Sequence, residues 1–293
     1  MSVIWHPQDA AEAIRLKETF GAEGRFISGG TWLSVQWENG APRPGHLIDV
    51  SAIPAMRGIA VQSKALTLGA MTPLSVARRD PLIGKSFPLL REAARSIAAP
   101  SIRNLGTIGG NIACKTGDLL PALLVCDAEL NWHDGHRLIT ESASDWLNGT
   151  RGETKPPDGL LLQVKLALKE TPMFEGAAER VIEGYHKIGR REAFTPSVVT
   201  AAYRAVLSPE GVVQSIRLAA GGGLMIPQRL TESESLLIGR MMSPKLMERL
   251  YEVILREVQP RQDAFVSCEY RKQTTAAVMS AGLWQTYREA ASA

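Results

Sequence analysis

Residues 102–113 read Ile102-Arg103-Asn104-Leu105-Gly106-Thr107-Ile108-Gly109-Gly110-Asn111-Ile112-Ala113, and they are the most informative stretch of the chain. Three glycines fall within five residues, which is too many for a simple hairpin. Because glycine has no Cβ, such a backbone can approach a flat or charged ligand closely. The stretch therefore predicts a ligand-binding backbone. A wide structural loop followed by a helix that Asp118 caps is the alternative.

A second glycine pair follows a short apolar segment near the amino terminus. Arg25 to Ser28 predicts a buried strand that runs into the stretch Ile27-Ser28-Gly29-Gly30-Thr31-Trp32-Leu33. Successive backbone N–H groups in such a turn form a hollow that binds anions, and two hydroxyls add donors. The stretch is neither G-x-G-x-x-G nor a P-loop, which disfavours a Rossmann NAD site and a Walker ATPase. An ordinary turn after a strand is the alternative.

The composition is that of a globular protein of 293 residues, with 45% apolar and 22% charged residues. The net charge of +3 is diffuse and no Lys/Arg-rich run occurs, so we expect no binding to nucleic acid. The amino terminus lacks the features of a signal peptide, and no apolar run approaches the ~20 residues that span a bilayer. These observations predict a cytoplasmic protein without a membrane segment.

Hydrophobic periodicity divides the chain into an α/β part and a part rich in antiparallel strands. The first part contains predicted helices over Pro7–Phe20 and Ser86–Ala98, and predicted strands at Arg25–Ser28, His46–Val50, Ala65–Met71 and Leu160–Leu168. Leu119–Val125 is apolar and fits either a helix or a buried strand. Lys169 to Pro172 is rich in turn formers and predicts the domain boundary, with Gly149–Asp158 as a second turn-rich stretch.

The second part begins with three predicted strands that form an antiparallel meander. They cover Val181–Ile188, Val198–Leu207 and Val213–Ala219, with a turn at Ser208–Gly211. Three helices follow: one opened by a capping box at Thr231 and Glu234, one capped by Ser243 with Pro244 in its first turn, and one over Glu269–Ala291.

The two glycine stretches together resemble one family, the FAD subunits of molybdenum hydroxylases such as xanthine dehydrogenases and carbon monoxide dehydrogenases. Ser-Gly-Gly-Thr near residue 30 and Ile-Arg-Asn-x-x-Thr-Ile-Gly-Gly-Asn near residue 108 carry the resemblance. Further similar stretches are Gly117–Leu124, Gly222–Arg229 and Ser267–Arg271, so that the likeness spans essentially the whole chain.

The resemblance implies an α+β protein with a PCMH-type FAD-binding fold over residues 1–172, made of two α/β subdomains at about 1–56 and 57–172. A C-terminal antiparallel sheet with helices is expected over 173–293. FAD is expected to bind non-covalently, with its diphosphate held by both glycine stretches. The implied cofactor-binding residues are Ile27, Ser28, Gly29, Gly30, Thr31, Trp32, Leu33, Thr107, Ile108, Gly109, Gly110 and Asn111, with Asp118 toward the ribityl-ribose region and Lys187 near the flavin ring. A solvated strand lysine is the alternative for Lys187.

The family also implies a division of labour between subunits. A large subunit would carry molybdopterin, a small subunit would carry [2Fe–2S] clusters, and this chain would pass electrons from those clusters to NAD+ or another acceptor. The chain has only three cysteines, Cys114, Cys126 and Cys268, whereas a [2Fe–2S] cluster normally takes four. We therefore expect an (αβγ)₂ assembly in which the clusters and molybdopterin lie on partner subunits, and no metal or catalytic acid–base residue in this chain.

Two departures from the family pattern affect the expected flavin site. The segment between Asn111 and Asp118 is shorter than usual, and Glu192 to Pro196 replaces a common Asp-Ile-Ala.

Two rival functions stay open. One is a self-sufficient flavin oxidoreductase of the vanillyl-alcohol-oxidase type, and the other is a non-catalytic assembly subunit that has lost FAD.

Overall fold

The computed structural model describes residues 1–149, 159–168, 180–191 and 195–292. Its strands form three sheets. In chain order the strands are β1 (Val3–Trp5), β2 (Gly24–Ile27), β3 (His46–Asp49), β4 (Ile59–Gln62), β5 (Ala65–Gly69), β6 (Glu129–His133), β7 (Leu138–Ser142), β8 (Leu160–Ala167), β9 (Arg180–Gly189), β10 (Ser197–Leu207), β11 (Val213–Gly222) and β12 (Met225–Arg229).

Helices connect or cover these sheets. They are α1 (Ala10–Phe20), α2 (Thr31–Glu38), α3 (Leu74–Ala77), α4 (Pro81–Ser86), α5 (Pro88–Ser96), α6 (Pro100–Leu105), α7 (Ile108–Ala113), α8 (Leu120–Val125), α9 (Ala143–Asn148), α10 (Thr231–Leu237), α11 (Pro244–Glu257) and α12 (Cys268–Ser292). No helix within the described ranges is both long and apolar enough to cross a membrane.

The first sheet is parallel, in the order β1-β3-β2, and α1 packs on it through Ala13 and Ile14. The helix predicted over Pro7–Phe20 is confirmed, but it begins at Ala10, after the N-cap Asp9. Strand β1 and helix α2 had not been predicted. Strand β1 is only three residues long. Helix α2 has no buried residue and therefore lacks the apolar stripe by which an amphipathic helix is predicted.

The second sheet has the order β4-β5-β8-β6-β7, with antiparallel pairs throughout. Strand β8 lies in its centre, which explains why Leu161 is as buried as its neighbours Leu160 and Leu162 on the other face. The predicted strand is therefore confirmed, but both of its faces are covered. The segment Leu119–Val125 is a buried helix, α8, whose six residues all lie in the interior.

The third sheet is the predicted meander, in the order β12-β11-β10-β9. Both of its faces are covered. Ala202 and Ala219 pack into the core of the first part of the chain, whereas Ala201 and Tyr203 belong to the core formed with α10, α11 and α12. This sheet joins the two apolar cores, and together the three sheets and their helices make the α+β architecture expected from the sequence.

Some local expectations need correction or lie outside the description. Thr231 is not an N-cap, because α10 begins at that residue and the Glu234 carboxylate instead binds Arg229 and the Leu218 N–H. The predicted Ser86–Ala98 helix begins at Pro88, after a non-helical Phe87. The boundary near residue 172 and most of the turn-rich stretch 149–158 lie outside the described residues. Both the 172 boundary and the division near residue 56 stay predictions.

Candidate functional site

The two glycine stretches meet in space. The first follows β2 and leads into α2, and its start is fixed by a hydrogen bond from the Val50 N–H to the Ile27 carbonyl at 3.0 Å. The second leads from α6 into α7. A Cβ at Gly29 would overlap the Leu105 carbonyl oxygen, so only glycine allows the two backbones to approach so closely.

Hydroxyl groups from both stretches lie side by side at this junction. Ser28 Oγ and Thr107 Oγ1 are 3.2 Å apart, and Thr107 also accepts a hydrogen bond from the Gly110 N–H at 3.0 Å as the N-cap of α7. A Cβ on Gly110 would lie 3.1–3.2 Å from these two oxygens. The missing side chain at Gly110 thus keeps the space beside both hydroxyls open.

A cavity of about 510 Å³ opens at the junction, within the range of ~300–1,000 Å³ that ligand pockets have. It is lined by Ser28, Gly29, Ser51, Arg57, Gly58, Met71, Thr72, Pro73, Val76, Asn104, Leu105 and Thr107. Gly30 follows the lining residue Gly29, has a left-handed φ of 67° and is the N-cap of α2, and no side chain among the described residues caps that helix. Its first N–H groups are therefore available to an anion, which the helix dipole also favours.

Backbone N–H groups of the second glycine stretch, expected to face a ligand, donate to other parts of the chain. Those of Ile108 and Gly109 donate to the carbonyls of Thr72 and Ala70 at 3.0 and 2.7 Å, and that of Asn111 donates within α7. The Ile108 side chain is buried in the core. This stretch is a capped helical turn fastened to residues 70–74, so what it offers to the cavity is the Thr107 hydroxyl and the open space at Gly110.

A second cluster contains Asp118 and Lys187. The ammonium of Lys187 on β9 lies 2.8 Å from the Asp118 carboxylate and donates to the Ser96 carbonyl at 3.0 Å. The other Asp118 oxygen accepts from Ser197 Oγ at 2.6 Å, and the Asp118 carbonyl accepts from the Tyr185 hydroxyl at 2.9 Å. Burial, and then the nearby Asp118 carboxylate, raise the pKa of Tyr185 well above its ordinary value, so that the hydroxyl keeps its proton.

The shortened segment after Asn111 folds tightly. Asn111 Oδ1 accepts from the Leu119 N–H at 3.0 Å, and a Cβ at Gly117 would overlap Asn111. The Asn111 side chain thus fixes the position of Asp118 instead of being wholly free for a ligand.

Not all predicted site residues come together. Ser28, Gly29 and Thr107 line the cavity, with Gly110 beside the Ser28 and Thr107 hydroxyls, whereas Asp118 and Lys187 form a separate ion pair whose side chains are mostly but not fully buried. The Trp32 side chain is 48% exposed. The cavity also has wall residues that had not been singled out, notably Ser51, Arg57 and Thr72. No motif marks these three residues, since they come from separate chain segments. The lining residues Asn104 and Leu105 lie within the quoted 102–113 stretch.

Arg103 in that same stretch has a structural role. Its buried guanidinium donates to the carbonyls of Ile97 and Ala98, at the end of α5. Burial lowers the pKa of Arg103 from its ordinary value, with nearby arginines adding to the effect. The side chain therefore holds the approach to α6 and does not contribute to the cavity.

Comparison with known proteins agrees with this architecture. The profile of the family described as "FAD binding domain in molybdopterin dehydrogenase" matches residues 1–167, and that of "CO dehydrogenase flavoprotein C-terminal domain" matches residues 184–286.

Individual relatives cover nearly the whole chain. The carbon monoxide dehydrogenase medium chain of Hydrogenophaga pseudoflava is 29% identical over 90% of both chains, and a xanthine dehydrogenase FAD-binding subunit of Escherichia coli is 26% identical over 89% of this chain and 87% of its own. The solved carbon monoxide dehydrogenase from Hydrogenophaga pseudoflava superposes with a TM-score of 0.87 at 22% identity, covering 98% of this chain and 97% of that one. The chain therefore belongs to the family of FAD-binding subunits of molybdenum-hydroxylase-type oxidoreductases.

Proposed function

We propose that this chain accepts electrons from [2Fe–2S] clusters of a partner subunit and passes them, through its bound FAD, to NAD+ or another acceptor. The observation that carries the proposal is the junction of the two glycine stretches, where Ser28 and Thr107 lie 3.2 Å apart beside an open cavity. FAD supplies the redox chemistry when bound, because it exchanges electrons singly or in pairs.

The residues around the cavity fit the anionic diphosphate of a dinucleotide. The Ser28 and Thr107 hydroxyls in the cavity wall supply donors. We propose that the uncapped N–H groups at Thr31 to Leu33, which follow the lining residue Gly29 in the chain, supply more. The absence of a Cβ at Gly110 leaves room for a phosphate oxygen. In this proposal the stretches Ile27–Leu33 and Thr107–Asn111 enclose the diphosphate end of the cofactor, the second through the Thr107 hydroxyl and the open space at Gly110.

We propose that Asp118 and Lys187 act at the flavin end. Their mutual ion pair and the bonds to Ser96 and Ser197 fix both side chains before any ligand arrives. With FAD bound, Lys187 would place a donor held by Asp118 next to the flavin, and the Asp118 carboxylate would accept hydrogen bonds from ribityl hydroxyls. Preorganisation of this kind spares the cofactor the cost of ordering the side chains.

The partner subunits are part of the same proposal. We propose an (αβγ)₂ assembly in the cytoplasm, with a small [2Fe–2S] subunit and a large molybdopterin subunit that hydroxylates the substrate. Of the residues that the structure describes, no three His, Cys, Asp or Glu side chains form a group that could hold a metal ion. Electron transfer through a bound flavin needs no protein acid or base, and we propose none in this chain.

Two measurements test the proposal. The purified chain should show flavin absorption near 450 nm, released by heat or acid as FAD rather than retained covalently. Co-expression with the neighbouring genes should yield one size-exclusion peak that contains three polypeptides, and NADH should reduce its flavin if NAD+ is the physiological acceptor. A colourless chain, or one that always elutes alone, would contradict the FAD site or the assembly respectively.

A further inference from the structure

Arg57 stands at the wall of the cavity, where none of the sequence motifs had placed a binding residue. It follows the turn Pro54–Met56 and precedes β4, and it shares the cavity with Ser28 and Thr107. Arg57 is the one charged residue among the described residues that line this space. The inference drawn from it rests on the proposed FAD-binding function.

Hydrogen bonds hold the guanidinium in one orientation. The Ser51 carbonyl oxygen accepts from Nε at 3.0 Å and also from Nη2. Arginine has five N–H donors, so this contact leaves Nη1 and the other Nη2 hydrogen for a second partner. A guanidinium fixed in this way presents its remaining donors as a planar fork, the arrangement that matches two phosphate oxygens.

The backbone on both sides of Arg57 is equally well fixed. The Met56 carbonyl accepts from the Met71 N–H at 2.7 Å, and the Gly58 carbonyl accepts from the Gly69 N–H at 2.9 Å and from Thr72 Oγ1 at 3.1 Å. A Cβ at Gly69 would come within 2.7 Å of the Arg57 carbonyl carbon, which shows how closely β5 packs against it. The backbone that carries Arg57 is therefore held in place on both sides.

The charge of Arg57 is not neutralised within the described part of the chain. The ion pairs there involve other arginines, lysines and histidines, and Arg57 is in none of them. A dinucleotide diphosphate carries two negative charges, whereas hydroxyls and helix N–H groups supply only partial positive charge. We propose that Arg57 is the counter-charge that binds the diphosphate of the dinucleotide in this cavity.

The experiment compares Arg57→Gln and Arg57→Lys with the unsubstituted full chain. Arg15→Gln is the matched control, because Arg15 is an exposed residue of α1 that does not line the cavity and loses the same charge. Flavin-free chain is titrated with FAD and with riboflavin, which lacks phosphate, at low and high salt, and binding is read from flavin fluorescence.

We expect Arg57→Gln to weaken FAD binding by about tenfold or more, as charge-assisted hydrogen bonds to phosphate predict. Riboflavin binding should be unchanged, the salt dependence of FAD binding should fall, and Arg15→Gln should behave as the unsubstituted chain. Arg57→Lys should keep the salt dependence but recover only part of the affinity, because lysine lacks the planar fork.

Two results would overturn the inference. One is FAD affinity and salt dependence equal to those of the unsubstituted chain in Arg57→Gln. The other is equal weakening of FAD binding and riboflavin binding in Arg57→Gln, which would give Arg57 a purely structural role. In that case the near-UV circular dichroism spectra of Arg57→Gln and Arg57→Lys would both differ from that of the unsubstituted chain. Failure of the unsubstituted chain to bind FAD at all would instead overturn the proposed function together with this inference.

Discussion

Asp118 and Lys187 form an ion pair of 2.8 Å whose side chains are only 13% and 10% exposed. Asp118 lies in the part of the chain that matches the FAD-binding family, and Lys187 lies on the first strand of the C-terminal sheet. The pair therefore joins the two parts of the chain. Each member also has a hydrogen bond to a further residue, Ser197 for the carboxylate and Ser96 for the ammonium.

Breaking this pair from either side should cost stability. Asp118→Asn and Lys187→Met each leave one buried charge without its partner, and we expect each to lower the free energy of unfolding by about 3 kcal/mol. The double variant should lose less than the sum, because it leaves no isolated charge. Urea unfolding of the flavin-free chain measures all three values. Additive losses would show that the two charges do not interact energetically.

Gly110→Val should abolish retention of the cofactor. The branched side chain would enter the space beside Ser28 Oγ and Thr107 Oγ1, where its Cβ alone would already lie 3.1–3.2 Å from both oxygens. The ratio of absorbance at 450 nm to that at 280 nm measures the loss. Ala113→Val is the matched control, because it adds a branched side chain at an exposed position of the same helix. A yellow Gly110→Val protein with full flavin content would contradict the placement of the diphosphate.

Gly29→Ala and Gly30→Ala, at neighbouring positions of the first glycine stretch, should lower the stability of the protein by different amounts. At Gly29 the new Cβ would overlap the Leu105 carbonyl oxygen, so the two stretches must separate. We expect this substitution to cost about 3 kcal/mol or more of stability, as overpacking against backbone does. At Gly30 the nearest atom would be Ile27 Cδ1 at 3.5 Å, and only the left-handed φ of 67° opposes alanine.

The Gly30→Ala cost should therefore be about 1 kcal/mol. Thermal unfolding followed by circular dichroism ranks the two variants. Equal losses at the two positions would mean that the contact between Gly29 and Leu105 is not rigid in solution.

His186 should make the protein less stable in mild acid. It lies under α12, where a Cβ at Gly282 would overlap its ring, and its ring stacks on Tyr203 with centroids 5.8 Å apart. Burial lowers the pKa of His186 below its ordinary value, with Glu92 opposing the shift weakly. The unfolded chain then binds a proton more readily than the folded one. The stability that depends on neutral His186 is therefore complete above pH 6.5, the ordinary pKa of histidine, and is lost as the pH falls below that value.

The test compares the free energy of unfolding between pH 7.5 and pH 5 in the unsubstituted chain and in His186→Gln. The fall in stability should be smaller in the variant, since the titrating group is gone. Thr286→Val is the control, because it removes a hydrogen bond of 2.7 Å between Thr286 Oγ1 and the Tyr203 hydroxyl but removes no group that titrates. A pH dependence that is identical in His186→Gln would place the sensitivity on other groups.

Periodic segments with a clear apolar face could be predicted from the sequence, and irregular or weakly patterned ones could not. Strands β8 to β11 and helices α1, α11 and α12 show this, because their apolar residues recur along segments long enough to indicate a strand or a helix. Helix α2 escaped prediction since none of its residues is buried. The capping box predicted at Thr231 is wrong because α10 begins at that residue and the Glu234 carboxylate binds Arg229 and the Leu218 N–H.

The sequence by itself determined the family, since Ser28-Gly29-Gly30-Thr31 and Thr107-Ile108-Gly109-Gly110-Asn111 are local strings in which Gly29 and Gly109 pack against the backbone of other segments. Only the tertiary structure decided what each residue contacts. Thr107 and Ser28, 79 positions apart, become neighbours through packing, as do Asp118 and Lys187. Arg57 reaches the cavity because β5 packs against its backbone. Such contacts depend on how distant segments share one core, and no local pattern of residues encodes them.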